Sequence, residues 1–220
     1  MAALHAHIRD NRLSPGHVLP GENAFALELG VSRAVVREAF SSMAALKLID
    51  VGNGRRPRVA KIDQSTLALM LDHAVHTDQT TVQQIYDVRR TIELRTAALA
   101  ALRRDEREAA AIAAHAAGMR ADFYRSDVVM EHDIVFHEAI ATASRNPMFA
   151  LIVGSFHTIT RQTWPIGWTS RATDAERMES VEGHEAIARA ISAGNHRAAE
   201  RLMADHFDFS VKALVAAGIN

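Results

Sequence analysis

The sequence of this chain changes character near residue 62. Before that point the chain carries Pro15, Pro20 and Pro57 with five glycines, whereas the part that follows is rich in alanine and has few helix breakers. Proline and glycine interrupt regular structure, so the first part predicts short elements and the second part predicts long helices. We therefore predict two domains, residues 1–62 and residues 63–220.

The charges of the chain divide at the same place. Residues 1–62 contain nine lysines and arginines against five acidic residues, which gives a net charge of +4. Residues 63–220 contain 16 basic residues against 21 acidic ones, which gives −5. A basic domain joined to an acidic one is typical of a protein in which only one domain binds a polyanion.

Composition excludes several other classes of protein. Hydrophobic residues make up 48% and charged residues 23% of the chain, as in globular proteins rather than disordered ones. The apolar runs are far shorter than the roughly 18 residues of a membrane span, and the polar N-terminus lacks a signal-peptide pattern, so we expect a cytoplasmic protein without a membrane partner. The chain has no cysteine, which excludes disulfides, thiolate metal sites and cysteine nucleophiles.

The first domain has the pattern of a winged helix-turn-helix, in which the second helix of the pair enters the major groove of DNA. Helices are predicted at residues 2–12 and 22–29, and from the N-cap Ser32 to about Lys47. Strand candidates at residues 48–51 and 58–60 flank the turn dipeptide Asn53-Gly54. The hairpin carries a cluster of arginines that suits phosphate or minor-groove contacts: Arg55, Arg56 and Arg58.

The third helix carries two arginines that could read DNA bases. Arg33 and Arg37 lie four residues apart and share one helix face. An apolar stripe on another face predicts the side that packs: Val36, Phe40 and Met43. The alternative is that both arginines only solvate a helix surface, paired with Glu28 or Glu38.

The second domain shows no convincing strand from residue 66 onward. Helices are predicted at residues 65–76, 80–102, 105–124, 127–144, 147–163, 175–193 and 196–217. Breaks are predicted at Asn146-Pro147, at residues 165–167 and at Gly194-Asn195. We therefore predict an all-α antiparallel helical bundle, and the fold class of the whole chain is mainly α.

Four residues of the bundle have the spacing of a metal site. Asp133 and His137, at positions i and i+4, share one helix face. His184 lies ten residues before Gly194 and His206 lies twelve after it, which is about 15 Å and about 18 Å along antiparallel helices and gives nearly equal heights. Three imidazoles and one carboxylate suit Zn, Ni, Fe or Mn. The alternative is that these are ordinary core or surface histidines.

The first domain resembles a known family of DNA-binding proteins. The ordered motifs Leu13-Ser14-Pro15-Gly16, Leu19-Pro20, Gly30-Val31-Ser32-Arg33 and Val36-Arg37-Glu38-Ala39 are similar to the DNA-binding domain of GntR-family transcription regulators. The resemblance implies that Ser32, Arg33, Arg37 and the wing at Gly54 contact an operator, and that the two arginines read bases.

The second domain resembles the FCD ligand-binding domain of the FadR-type branch of these regulators. The resemblance rests on three motifs: 133–137, 182–187 and 203–206. It implies that Asp133, His137, His184 and His206 bind a metal and that a small carboxylate or sugar acid is the effector. It also implies that Arg89 faces the effector pocket. The alternative for Arg89 is a surface pair with Glu93, which would leave Arg95 or Arg161 as candidates.

A metal-dependent hydrolase with an accessory DNA-binding head is the competing interpretation. His137-Glu138 and His184-Glu185 each begin the zinc-protease motif His-Glu-x-x-His, but Ala141 and Ala188 stand where the second histidine is required. We therefore predict a regulator rather than an enzyme: a metal-containing homodimer that binds a palindromic DNA site and responds to a small organic acid.

Overall fold

The computed structural model of the chain describes residues 1–52 and 54–219. Within these residues the chain divides into two units, the first ending at Thr66 and the second beginning at Leu67. The described residues form eleven helices and one antiparallel pair of short strands, so the predicted mainly α fold class is confirmed. None of the helices in the described part of the chain is long and apolar enough to cross a membrane.

The first unit is a three-helix domain with a short hairpin. Its elements are α1 (Ala2–Asp10), α2 (Glu22–Leu29), α3 (Arg33–Ala45), β1 (Ile49–Asp50) and β2 (Arg58–Val59). Gly30 ends α2 in the left-handed region at φ 64°, and the Ser32 hydroxyl caps α3 by accepting from Val35 N at 3.4 Å. Ile49 pairs with Val59 across the strands. Asn53 of the predicted turn lies outside the described residues.

The apolar stripe predicted on α3 packs into the core of the first unit, as expected. Val36, Phe40 and Met43 are all buried there. Phe40 meets Phe25 of α2 edge to face, with ring centroids 5.8 Å apart. Because one face of α3 is fixed in the core, the opposite face is held towards solvent.

The second unit is a helical bundle, and its described residues contain eight helices, the first of which begins two residues before the unit boundary. They are α4 (Ser65–His76), α5 (Val82–Arg103), α6 (Glu106–Ala121), α7 (Ser126–Ala143), α8 (Pro147–Ser155), α9 (His157–Ser170), α10 (Asp174–Ser192) and α11 (His196–Ala216). Gly194 turns the chain between α10 and α11 at φ 69°, a conformation that favours glycine, and this turn lies where the sequence predicts it.

The predicted break at residues 165–167 is wrong. The chain breaks at Phe156 instead, where Ser155 Oγ and His157 Nδ1 donate to the carbonyls of Ile152 and Gly154 at 2.6 and 2.8 Å. Pro165 lies inside α9. Proline in a helix costs about 3 kcal/mol. Here the rings of Trp164 and Trp168 stack with centroids 4.8 Å apart and Trp168 packs in the core, and these contacts stabilise the helix around Pro165.

Candidate functional site

Three helices bring the four predicted metal ligands together. Asp133 and His137 come from one face of α7, His184 comes from α10, and His206 comes from α11. The ring centroids of His184 and His206 lie 4.4 Å apart, and those of His137 and His206 lie 5.2 Å apart. One nitrogen from each histidine lies within 4.8 Å of the others, so the cluster could hold a metal ion.

The contact between Asp133 and His184 has the character of two ligands rather than of a hydrogen bond. His184 Nδ1 donates to the Ser180 carbonyl at 2.8 Å, which leaves Nε2 of the neutral ring with a free lone pair. Nε2 lies 2.8 Å from Asp133 Oδ1, yet it has no hydrogen-bond partner. When two ligand atoms each lie about 2.1 Å from one metal ion and the angle between their bonds is about 90°, the two atoms are about 3 Å apart. The spacing therefore fits a shared cation.

His137 is oriented by a carboxylate that the sequence did not assign to the site. Glu93 on α5 is 1% exposed and accepts a hydrogen bond from His137 Nδ1 and another, at 2.9 Å, from Arg89 Nε. With its proton on Nδ1, His137 directs the lone pair of Nε2 into the cluster, and this buried atom has no partner. A carboxylate behind a metal-binding histidine commonly fixes its tautomer.

Electrostatics favour the metal-binding form of Asp133 and of His206, whereas at His137 burial is outweighed by the Glu93 carboxylate, which raises the pKa, so a metal would compete with a proton for that ring. Burial raises the pKa of Asp133, but the neighbouring imidazoles outweigh burial and hold it well below its usual range, so the carboxylate is charged. Burial and the adjacent His184 and His137 rings lower the pKa of His206 well below its usual value, so this ring is neutral. A charged carboxylate and a neutral imidazole are the forms that bind metals.

A polar pocket lies beside the cluster. Its lining includes Asp133, His137 and His206, together with Arg89 and Thr160. The cavity has a volume of about 40 Å³, which is room for about three water-sized groups. The pocket therefore suits a small polar molecule.

Arg89 is buried in this pocket rather than exposed. It pairs with Glu93, as the alternative interpretation expected, but the pair is 4% and 1% exposed and does not lie on the surface. Arg89 Nη1 also donates to Thr160 Oγ1 at 2.8 Å. The fallback candidates lie outside the pocket: Arg95 is exposed, and Arg161 pairs with Glu131.

The pocket contains a second arginine that the sequence analysis missed. Arg171, just after α9, is 9% exposed and lines the pocket. Its Nη1 donates to the Gly167 carbonyl at 2.7 Å, and its Nε has no partner. No spacing relation links Arg171 to the metal ligands, so only the fold could place it here.

The predicted DNA-reading residues lie on the solvent face of the first unit. Arg33 and Arg37 are exposed. The ion pairs in the described part of this unit involve other residues, such as Glu28, which contacts His7 at 3.9 Å. Within those residues neither arginine is held by a carboxylate, so the pairing with Glu28 or Glu38 that belonged to the alternative interpretation is wrong.

The wing arginines differ from one another. Arg55 and Arg56 are exposed beside Gly54, which has φ 71°. Arg58 Nη1 instead donates to the Gly16 carbonyl at 2.7 Å and braces the hairpin against the preceding loop. Arg55 and Arg56 are therefore the better candidates for phosphate contacts.

The hydrolase alternative gains nothing from the geometry. Glu185, which follows a proposed ligand, forms a two-bond ion pair with Arg120 at 2.6 and 2.9 Å. That contact holds its carboxylate away from the histidine cluster.

Comparison with known proteins gives consistent results. Residues 84–209 match the FCD domain, and residues 1–59 match the bacterial regulatory proteins of the gntR family. The chain is 29% identical to the HTH-type transcriptional regulator LutR of Bacillus subtilis, over 90% of this chain and 92% of that protein. It is 26% identical to the galactonate operon transcriptional repressor of Escherichia coli, over 85% and 82%. A solved structure, Streptococcus agalactiae GntR, has the same fold, with a TM-score of 0.66 at 24% identity over 96% of both chains.

These matches identify the class of protein. The similar proteins are transcription regulators rather than enzymes, so a hydrolase is not supported. Regulators of this kind bind DNA and small-molecule effectors. The chain belongs to the GntR family of bacterial transcription regulators, with a GntR-type helix-turn-helix domain followed by an FCD effector-binding domain.

Proposed function

We propose that this regulator, acting as a repressor, changes its operator affinity when a small carboxylate or sugar acid binds beside a divalent metal, Zn, Ni, Fe or Mn. The observation that carries the proposal is the cluster of buried Asp133, His137 and His184 with half-buried His206, in which two imidazole nitrogens have no partner. Buried polar atoms without partners are rare in folded proteins, so they indicate a missing ligand.

The donor set fits a divalent transition metal with room for an effector. Three neutral imidazoles and one charged carboxylate suit such an ion, and four protein ligands leave positions for oxygen donors. When bound, the metal would supply a positive charge that attracts an effector oxygen. The chain's own residues do the rest: Glu93 and the Ser180 carbonyl orient the rings, and the surrounding helices limit access of water.

The pocket favours a small acid over a long acyl chain. Its cavity of about 40 Å³ is polar, with Arg89 and Thr160 in its wall. One similar protein is named for the galactonate operon, and galactonate is a sugar acid. We propose a small carboxylate or sugar acid as the class of effector, with Arg89 beside it in the pocket.

The first unit would read the operator. We propose base contacts from Arg33 and Arg37 on the exposed face of α3, helped by the Ser32 cap, and backbone contacts from the wing. The wing residues concerned are Gly54, Arg55 and Arg56. A homodimer would place two such units on a palindromic site. The effector can change operator affinity only if it binds more tightly to one of two conformations of the protein that differ in operator affinity. The coupling free energy in such cases is typically about 1–3 kcal/mol.

Metal analysis tests the effector domain. His184→Ala and His206→Ala should each reduce metal content and lower the melting temperature, because a metal that binds only the folded state stabilises it. His196→Ala is the matched control, since His196 is exposed on the same helix as His206. Full metal occupancy in both ligand variants would show that the metal binds elsewhere in the protein.

Operator binding tests the first unit. A DNA site selected from a random duplex library should bind the parent chain, and Arg33→Ala or Arg37→Ala should weaken that binding by about 1–3 kcal/mol and reduce discrimination between site variants. Arg9→Ala is the control, because Arg9 is an exposed arginine of α1. Unchanged sequence preference in both α3 variants would remove the proposed base contacts.

A further inference from the structure

Arg171 is a buried cation that the proposed metal centre does not explain. It lines the same pocket as Asp133 and His206, and its side chain is 9% exposed. The guanidinium carbon lies 4.8 Å from the centre of the Phe209 ring, which holds the group in place without neutralising its charge.

The hydrogen bonding of Arg171 is incomplete. Nη1 has an acceptor in the Gly167 carbonyl, but Nε is buried without one. The carboxylate of Asp174 pairs with Arg177 at 2.9 Å instead, and no carboxylate of the described residues forms an ion pair with Arg171. A buried guanidinium that forms no ion pair is unfavourable, so an anion that enters the pocket should pair with it.

The other pocket arginine already has its counter-charge. Arg89 donates to the Glu93 carboxylate at 2.9 Å and to Thr160 at 2.8 Å. Its charge is therefore compensated within the protein. The positive charge in the pocket wall that still needs a partner is that of Arg171.

The charges around the pocket favour an anionic ligand. A divalent ion on the Asp133 carboxylate, with neutral imidazoles, keeps one positive charge, and Arg171 adds a second. Asp133 and Arg171 line the same small cavity, so a single short molecule can meet both charges.

We propose that Arg171 binds a carboxylate of the effector, and that the effector is a short acid with a second oxygen group, a carboxylate or a hydroxyl, for the metal centre. This inference rests on the proposed function. The planar guanidinium can donate two charge-assisted hydrogen bonds to one carboxylate, and one of them would use the unpartnered Nε.

The two tryptophans of the chain provide a direct binding signal. Trp164 lines the pocket and stacks on Trp168 at 4.8 Å, so an acid that enters should change their fluorescence. Propionate, L-lactate and malonate share a three-carbon skeleton and differ in the second oxygen group. We expect L-lactate or malonate to bind the metal-loaded parent at least about tenfold more tightly than propionate.

Substitution of Arg171 tests its role. Arg171→Met should raise the Kd of the tightest acid by about 10- to 100-fold and leave the metal content unchanged. Without acid its melting temperature should stay the same or rise, because an unpaired buried charge is removed. Arg171→Lys keeps the charge but not the fork and should show a smaller loss. Arg161→Met, on the exposed part of α9, should bind the acid as the parent does.

The outcomes separate this inference from the proposed function. Parent-like acid binding in both Arg171 variants, or a sharp loss of melting temperature in Arg171→Met without acid, would make Arg171 a structural brace for the Gly167 carbonyl and overturn the inference. Equal binding of propionate, L-lactate and malonate would overturn the requirement for a second oxygen group. Failure of the parent to bind these acids or D-galactonate would instead overturn the proposed small-acid effector.

Discussion

Glu93→Gln changes one atom at the point where the pocket and the candidate metal centre meet. The Glu93 carboxylate accepts from both Arg89 Nε and His137 Nδ1. Arg89 donates to Oε1 and His137 to Oε2, and an amide keeps an oxygen at only one of these two positions, so one donor would face an NH₂ group. If the new NH₂ faces His137, it favours the tautomer with the proton on Nε2, the atom directed into the cluster.

This change should affect both metal affinity and stability. Loss of a residue that orients a metal ligand typically lowers metal affinity by about 10- to 100-fold, or about 1.4–2.7 kcal/mol. Removing one partner of a buried ion pair costs about 3–5 kcal/mol of folding free energy, because Arg89 stays buried without its counter-charge. A loss of that size corresponds to a melting temperature lower by roughly 6–20 °C.

The assay compares Glu93→Gln with a surface pair of the same chemistry. Metal affinity is measured by competition with a chelator, and stability by thermal unfolding of the metal-free protein. Glu131→Gln is the control, since Glu131 pairs with Arg161 where both side chains are more than 40% exposed. That change should cost about 0–1 kcal/mol and leave metal affinity unchanged.

Two results would refute the reasoning about Glu93. Parent-like metal affinity in Glu93→Gln would show that this carboxylate does not position His137. If Glu93→Gln lowers the free energy of unfolding no more than Glu131→Gln does, burial does not make the Arg89–Glu93 pair more important for stability than an exposed pair.

The wing and the α6–α7 contact give three further expectations. Arg55→Ala should weaken binding to all DNA sequences alike and lower the slope of log affinity against log salt by about one, as titrations at several salt concentrations would measure; lost discrimination would contradict a phosphate contact. Gly118→Ala should lower the melting temperature of the parent, because the new methyl group would lie 2.5 Å from the His132 ring. In a His132→Ala background the same change should raise the melting temperature, because alanine favours a helix over glycine by about 1 kcal/mol. Equal effects in the two backgrounds would refute the clash. Burial, with His132 nearby, lowers the pKa of His115, so the stability it contributes is complete above about pH 6.5 and is lost as the pH falls. In urea titrations the parent should therefore lose more unfolding free energy than His115→Gln between about pH 7 and about pH 5.5, and equal losses would exclude this origin.

The proximity within each pair of candidate ligands could be predicted because helices are regular, whereas the meeting of the two pairs was implied by the family resemblance. Asp133 and His137 lie four positions apart on one face, and a fixed rise per residue places His184 and His206 level across the Gly194 turn. Their ring centroids lie 4.4 Å apart in the structure. Periodicity and turn chemistry are local properties, so they can be read from the sequence.

The break between α8 and α9 could not be predicted in the same way. Local propensity places the break at Pro165, but packing of the stacked tryptophans on either side of it keeps the helix intact. The helix ends instead at Phe156, which is neither a proline nor a glycine. Here tertiary contacts override the local preference.

The partners of the candidate ligands were also hidden in the sequence. The i, i+4 spacing of Arg89 and Glu93 predicts a pair, but not that the pair is buried or that Glu93 also accepts from His137 on another helix. Arg171 follows the end of α9 and has no spacing relation to the cluster. Burial of a charge depends on which helices meet, and that is a property of the fold.

The most direct test of the central claim, that the metal centre is required for the acid to control DNA binding, is one set of operator titrations. The selected DNA site is titrated with the full chain, with and without the tightest acid, in metal-loaded and metal-stripped protein at one salt concentration. We predict that the acid changes operator affinity by about 5- to 150-fold in the metal-loaded protein and by less than about twofold in the metal-stripped protein. An equal acid effect in both forms would contradict the claim.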